Sequence, residues 1–254
     1  MRIVLVDSGI GMLSTAAALR AARPDADLVL SMDPDHMPWG LRTPDEVVSR
    51  LLAGARAAEG SAADAVVVPC NTASVHALDA LRAEFEPRVP VIGTVPAIKP
   101  AAAAGGPIAV WSTVATTRSR YQRRLVETFA AGVEVTAVAC VGLAEAVESA
   151  DPRTIAEAVD EAAALTPDVR GVVLGCTHYD LVGARIVEAL GDVTLYSAAE
   201  AVAAQTLRRI GDVPPGDAAG TVRVLASGRP TPMPAAALAY PAGRALAPAP
   251  TSAL

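Results

Sequence analysis

Two short stretches hold the residues most able to do chemistry, and they are built alike. Gly171 to Leu174 is an apolar, β-branched run that leads into Gly175-Cys176-Thr177-His178-Tyr179, and Ala65 to Val68 is a second run leading into Pro69-Cys70-Asn71-Thr72. Each run suits a strand buried on both faces of a parallel sheet. The apolar spacing beyond suits a helix, through Leu181, Ile186, Val187 and Leu190 in one case and Val75, Leu78 and Leu81 in the other. Both cysteines therefore fall at the carboxyl end of a strand beside a helix amino terminus, where open α/β sheets gather ligands and unpaired N–H groups attract anions. A thiolate is a base and a nucleophile, and a thiol is a usable acid near neutral pH. Taken singly, a free cysteine is more often a small buried hydrophobe, and Cys140, at the end of the strand pattern Val133 to Ala139, reads that way. A matched pair followed by Asn-Thr and Thr-His points instead to acid–base work.

The elements that must position these residues alternate along the chain. Arg2 to Val6 reads as a strand, Asp7-Ser8-Gly9 as the turn at its carboxyl end, and Met12 to Ala22 as a helix stopped before Pro24. Leu28 to Leu30 is a second strand, followed by an irregular loop from Met32 to Trp39. Thr43-Pro44-Asp45-Glu46 carries the signature of a capping box with proline at the first helical position. Strands follow at Val66 to Val68 and Val89 to Ile92, and then an Ala-rich helix ended by Gly105-Gly106-Pro107. The strand Ile108 to Trp111 opens a second βα series with a helix over Ser119 to Ala130, the strand Val133 to Ala139, a helix capped by Asp151-Pro152, the Cys176 strand and the strand Val193 to Tyr196. Ser197-Ala198-Ala199-Glu200 reads as another capping box, opening a helix to Ile210. Alternation of this kind implies parallel pairing with right-handed crossovers. From Pro230 onward six prolines exclude a long helix and predict a surface-hugging or mobile tail.

With 254 residues the chain can bury roughly 70–75% of its unfolded surface. It is 52% hydrophobic but only 3% aromatic, so the core must be Val, Leu, Ile and Ala packed in α/β layers. A net charge of −6 and a pI near 5.1 give no footprint for a phosphate backbone, and nucleic acid is not an expected partner. No apolar run reaches the roughly 18 residues that a membrane span needs, and the N-terminal run is cut by Asp7; the expected location is the cytoplasm, with no membrane partner. Three widely spaced cysteines fit reduced thiols better than a disulfide framework.

Val6-Asp7-Ser8-Gly9-Ile10-Gly11, Cys70-Asn71-Thr72 and Leu174-Gly175-Cys176-Thr177-His178-Tyr179 resemble, in order and rough spacing, the three signature stretches of the glutamate racemases within the aspartate/glutamate racemase superfamily. Pro38-Trp39-Gly40 resembles the family's Pro-Tyr-Gly, and Thr113-Val114-Ala115-Thr116 with Ser119 its Thr-x-Ala-Thr stretch. Ala139-Cys140 followed by Glu148 is a further match. The resemblance runs from about Ile3 to Ile210 and implies two similar α/β domains, each a mainly parallel sheet flanked by helices, with the active site in the cleft between them. The expected division is 1–96 plus 208–254 for the first domain, completed by a strand at Val222 to Leu225, and 97–207 for the second.

The resemblance further implies racemisation of glutamate without cofactor or metal, supplying D-glutamate for peptidoglycan. Removing a poorly acidic α-proton from one face and returning one to the other requires two acid–base groups, and two opposed thiols can fill both roles. Cys70 would deprotonate the D-enantiomer and Cys176 the L-enantiomer, supported by Asp7, Glu148 and His178. Substrate donors and acceptors would come from Asp7, Ser8, Pro38, Trp39, Gly40, Asn71, Thr72, Thr116, Thr177 and His178. The partner is a small amino acid, and the family commonly forms homodimers. Met12, Trp39 and Asp180 stand where the family usually has Gly, Tyr and Pro, and Trp39 predicts a reshaped substrate pocket.

Other readings compete at this level. Asp7 can serve only the substrate ammonium, Glu148 can be a solvated helix residue and His178 a hydrogen-bonded cap. Cys70, Cys176, His178 and His76 could offer zinc ligands, although the spacing lacks the tight pairs of structural sites. Cys-His-Asp hydrolysis leaves one cysteine unused. A racemase or related isomerase of the same superfamily acting on aspartate or another amino acid, or a binding protein on the same scaffold, shares the pattern.

Overall fold

The valine-rich runs form strands and the alanine-rich, apolar-striped segments between them form helices, as periodicity predicts. The computed structural model describes residues 1–58 and 63–247. In chain order it contains β1 (Arg2–Val6), α1 (Leu13–Ala22), β2 (Asp27–Met32), α2 (Pro44–Ala58), β3 (Ala65–Val68), α3 (Asn71–His76), α4 (Leu78–Phe85), β4 (Val91–Gly93) and α5 (Ile98–Ala104). There follow β5 (Ile108–Ser112), α6 (Val114–Thr117), α7 (Arg120–Phe129), β6 (Val135–Ala139), α8 (Leu143–Ser149), α9 (Pro152–Ala164), β7 (Gly171–Leu174), α10 (Gly183–Leu190), β8 (Thr194–Tyr196) and α11 (Ala199–Ile210). The chain closes with β9 (Val222–Ala226), β10 (Arg229–Thr231), α12 (Ala235–Leu238) and α13 (Pro241–Leu246).

The strands make two sheets, ordered β10-β9-β2-β1-β3-β4 and β6-β5-β7-β8. Within them every pairing is parallel except β10 on β9. This is the expected class, two α/β units of parallel sheet flanked by helices. β9 pairs with β2, as anticipated for Val222 to Leu225, and β10 adds an antiparallel edge that tolerates Pro230, whose missing N–H would break an inner ladder. The two sheets share one apolar cluster, in which Ile3, Leu5 and Leu28 of the first join Ala109, Trp111 and Val172 of the second through Met12, Leu13 and Tyr179.

Several boundaries shift for local reasons. β4 begins at Val91 rather than Val89, because Pro90 has no N–H to give a ladder. β6 begins at Val135 because the Val133 N–H closes a turn on the Ala130 carbonyl. The loop after β2 holds two 3₁₀ turns, Pro34–His36 and Trp39–Leu41, and a third, Ile10–Met12, precedes α1. The Thr43/Glu46 capping box forms reciprocally, and Asp151 caps α9. The box expected at Ser197 does not form. α11 starts at Ala199, and the Ser197 hydroxyl oxygen accepts the Ala199 N–H at 3.0 Å rather than the Glu200 N–H that a box requires.

The tail overturns the expectation of a surface-hugging or mobile segment as far as residue 247; positions 248–254 lie outside the described residues. Its prolines do forbid a long helix, and the two short ones, α12 and α13, pack on α1 and α8 and bury Ala237, Tyr240, Gly243 and Leu246. Leu246→Ala should therefore destabilise the fold by about 2–4 kcal/mol, as for a buried leucine, measured by urea unfolding. A change within about 0.5 kcal/mol, the surface value, would return the tail to the periphery.

Candidate active site

Four parallel strands end at one cleft between the sheets: β1 delivers Asp7 and Ser8, β3 delivers Cys70, β5 leads into Thr113 to Thr116, and β7 delivers Cys176, Thr177 and His178. The cleft is partly open to solvent and is lined by residues of both units. Pro38, Trp39, Gly40, Asn71 and Thr72 complete one wall. Thus every expected site residue lines the cleft except Glu148. His76 is exposed at the end of α3 and stands apart from it. Among the described residues no group of three His, Cys, Asp or Glu side chains is arranged to hold a metal ion.

Glu148 lies behind the wall. One oxygen, Oε2, accepts the Ile10 N–H at 2.9 Å and sits 2.9 Å from His178 Nε2, while His178 Nδ1 is 3.8 Å from the Cys176 thiol. Glu148 is therefore not a solvated helix residue, and His178 is more than a local cap. The turn at the end of β1 makes room for this pair through two glycines. A Cβ on Gly9 would stand 2.2 Å from Glu148 Oε2, and one on Gly11 would stand 2.6 Å from both His178 Nδ1 and Thr177 Oγ1.

The two thiols have unlike surroundings. Cys70 is buried against Asp7, and burial followed by the Asp7 charge pushes its thiol well above the ordinary range. Burial raises Asp7 itself to about 6, against the pull of His178 and hydrogen bonds from Cys70 and the Ser8 N–H. The Thr177 hydroxyl also reaches Asp7 Oδ2, at 3.4 Å. For His178 burial pulls downward, but the bonds to Cys176 and Glu148 outweigh it and raise the imidazole well above its usual value. Cys70 thus has a carboxyl that can take its proton, and Cys176 has an imidazole that is in turn held by a carboxylate.

Polar groups ready for a substrate are present without a fixed cation. No Arg or Lys is among the residues that line the cleft. Asn71 donates to the Gly175 carbonyl at 3.0 Å, leaving its Oδ1 buried and without a partner among the described residues. Thr113 and Thr116 share a hydroxyl bond of 3.1 Å at the start of α6.

Trp39 does not reshape the pocket by bulk. Its side chain is sunk in the core of the first sheet with Val4, Val6 and Val29, and the residue is 1% exposed. The indole N–H donates to Asp33 Oδ2 at 3.1 Å, and Asp33 is also bonded by His36 and Ser227. Sequence reasoning missed Asp33 in this support role and missed Leu41, Gly142 and Glu145 as lining residues. Gly142 carried a signal, since a glycine just past a strand end marks a turn like those at Asp7 and Cys70; its φ of 68° bears that out. Cys140, expected in the core, is buried but also lines the cleft.

Two tests follow from these contacts. Trp39→Phe keeps an aromatic ring but leaves Asp33 short of a donor, so KM for the substrate should rise several-fold, by about 1 kcal/mol of binding, with kcat little changed. Steady-state kinetics that show the reverse split would place residue 39 in the chemistry rather than in the wall. Asp7 binds its proton more tightly folded, at about 6, than at its ordinary 3.8. The ionised form therefore costs stability that is absent below pH ~4, grows as pH rises and is complete above pH ~6, to about 3 kcal/mol. Asp7→Asn should raise stability at pH 7.5 but not at pH 4. Equal urea midpoints of the two proteins at both pH values would contradict the burial cost.

Comparison with known proteins agrees with this geometry. The family model for Asp/Glu/Hydantoin racemase matches residues 8–206. The glutamate racemase of Methylococcus capsulatus is 37% identical over 216 residues, 82% of this chain and 79% of that one, and the glutamate racemase of Herpetosiphon aurantiacus is 34% identical over 90% of this chain and 93% of its own length. Among solved structures, Escherichia coli glutamate racemase in complex with L-glutamate and the activator UDP-MurNAc-Ala superposes with a TM-score of 0.81 at 27% identity, covering 94% of this chain and 91% of that one. The Thermus thermophilus enzyme in complex with β-chloro-D-alanine gives 0.70 at 28% identity, over 89% and 87%. The chain belongs to the Asp/Glu/hydantoin racemase family and, within it, to the glutamate racemases.

Proposed function

We propose that Cys70 and Cys176 are the two acid–base groups with which this glutamate racemase interconverts L- and D-glutamate, the D-enantiomer being destined for peptidoglycan. The observation that carries the assignment is the placement of two thiols at strand ends of two sheets, on one cleft, each with its own proton partner: Asp7 for Cys70, His178 backed by Glu148 for Cys176. With D-glutamate, the Cys70 proton passes to Asp7, and the thiolate takes the α-proton and leaves a planar carbanion. The Cys176 thiol then delivers its proton to the opposite face, and His178 stabilises the thiolate left behind. With L-glutamate the roles reverse. No step consumes a redox equivalent or needs a cofactor.

The carboxylates of glutamate are read here by hydroxyls and N–H groups of Ser8, Asn71, Thr72, Thr116 and Thr177 and by the backbone of Pro38 to Gly40, with Asp7 and the free Asn71 Oδ1 facing the ammonium. No helix among the described residues is long and apolar enough to cross a membrane. Work in the cytoplasm and assembly as a homodimer belong to the same reading and rest on the family resemblance.

The test separates deprotonation from reprotonation in enzyme dialysed against chelator. A glutamate analogue with chloride on the β-carbon loses its α-proton to the base and expels chloride with its bonding electrons; the enamine hydrolyses to a 2-oxo acid and ammonia, so no second proton donor on the enzyme is needed. Cys70→Ser and Cys176→Ser should each lose racemisation by a factor of about 10² or more. Cys70→Ser should keep elimination with the L-analogue only, and Cys176→Ser with the D-analogue only. Loss of the same enantiomer in both variants would indicate one base and end the pairing.

A further inference from the structure

The tail brings one unassigned side chain to the back of the site. Tyr240, between α12 and α13, is 6% exposed, and its hydroxyl donates to the Val147 carbonyl at 2.6 Å. Val147 is the residue before Glu148 in the last turn of α8, where helix carbonyls lack intrahelical partners. That carbonyl also accepts the Ala150 N–H at 3.1 Å, with Ala150 in the left-handed conformation that stops the helix. The Tyr240 hydroxyl therefore adds a second, cross-chain tie to the turn that carries Glu148. Tyr240 is itself anchored: its N–H bonds the Ala237 carbonyl, its carbonyl accepts the Arg244 N–H, and Pro241 starts α13, which packs on α1.

We infer that Tyr240 is a positioning residue that sets the height of the last turn of α8, so that a single Glu148 oxygen meets both the Ile10 N–H and His178. Both of those contacts are 2.9 Å, which leaves little slack for a carboxylate on a seven-residue helix. Burial and then the Glu148 charge push the Tyr240 phenol up to about 12, so it stays a hydrogen-bond donor throughout the working pH range. The influence of Tyr240 runs through the direct Glu148–His178–Cys176 contacts, whereas Asp7 feels Glu148 and His178 only through their charges, so the Cys176 side is affected first and most. This rests on the two-thiol reading, which assigns Cys176 to the L-enantiomer.

Elimination from the two β-chloro analogues tests it, with Tyr240→Phe and Glu148→Gln studied side by side. Tyr240→Phe keeps the buried ring, and D-analogue elimination in the same sample reports the folded, competent fraction. Tyr240→Phe should lower the L-analogue rate by about tenfold and leave the D-analogue rate within about twofold, a small part of what a positioned acid–base partner contributes. Glu148→Gln should show the same bias. If Glu148→Gln is biased while Tyr240→Phe lowers both rates equally, or neither, the role of Tyr240 is overturned and the two-thiol reading stands. If Glu148→Gln itself shows no bias, the assignment of Glu148 to the Cys176 side fails, and Tyr240 falls with it.

Discussion

The arrangement depends on one carboxylate oxygen serving two sheets at once. Glu148 belongs to the second unit, yet its Oε2 accepts a backbone N–H from the turn after β1 and meets His178 after β7. A buried donor left unpaired costs about 1–3 kcal/mol, so the Ile10 N–H is a reason for the units to stay at this separation as well as a consequence of it. The glycines at 9 and 11 let the carboxylate and imidazole come so close to the backbone. The relative placement of the sheets and the proton partner of Cys176 are thus fixed by the same contact. A change that opened the cleft would lengthen the Glu148 bonds and weaken the support behind one thiol before it touched the other.

That linkage explains an asymmetry that the sequence pattern conceals. The motifs around Cys70 and Cys176 are near repeats, but their partners differ in charge type. A carboxyl beside Cys70 disfavours its thiolate electrostatically and can still act as a proton acceptor, since burial has already brought Asp7 to about 6. Cys176 instead has the His178 imidazole 3.8 Å away, held in turn by Glu148. On the proposed two-thiol mechanism, unlike devices thus serve two bases that work against each other across one planar intermediate.

Much of this was legible in the residues themselves. Valine runs with period-free burial gave the parallel strands, and the position of each cysteine after such a run placed each thiol at the carboxyl edge of its sheet. Glu148 could be located only by resemblance, because its partners lie 138 residues upstream and 30 downstream in the chain and no local pattern encodes that meeting. Trp39 misled for a related reason. Residue size suggested a crowded pocket, whereas the direction of the indole is set by Asp33 and Ser227, which tertiary packing brings together. The tail misled because Pro and Ala composition reports what helix length is allowed, not whether Tyr240 and Leu246 find a groove to fill. The Ser197 box failed by one residue, its hydroxyl oxygen taking the Ala199 N–H in place of the Glu200 N–H.

The absence of Arg and Lys from the cleft lining follows from the demands of the chemistry. A fixed cation beside Cys70 would hold a thiolate permanently, but a thiolate stabilised that far is a poor base, because proton affinity falls together with pKa. The α-proton of an amino acid is weakly acidic, so the base that removes it must pay for its strength by being hard to form. On the proposed mechanism, burial of Cys70 supplies that strength, and a substrate ammonium entering beside Asp7 would supply the missing charge by offsetting the carboxylate that opposes ionisation of the thiol. The base is then formed chiefly when a substrate is present to be deprotonated. On the proposed reading, neutral donors bind the substrate carboxylates and leave the Cys70 thiol as strong as burial has made it.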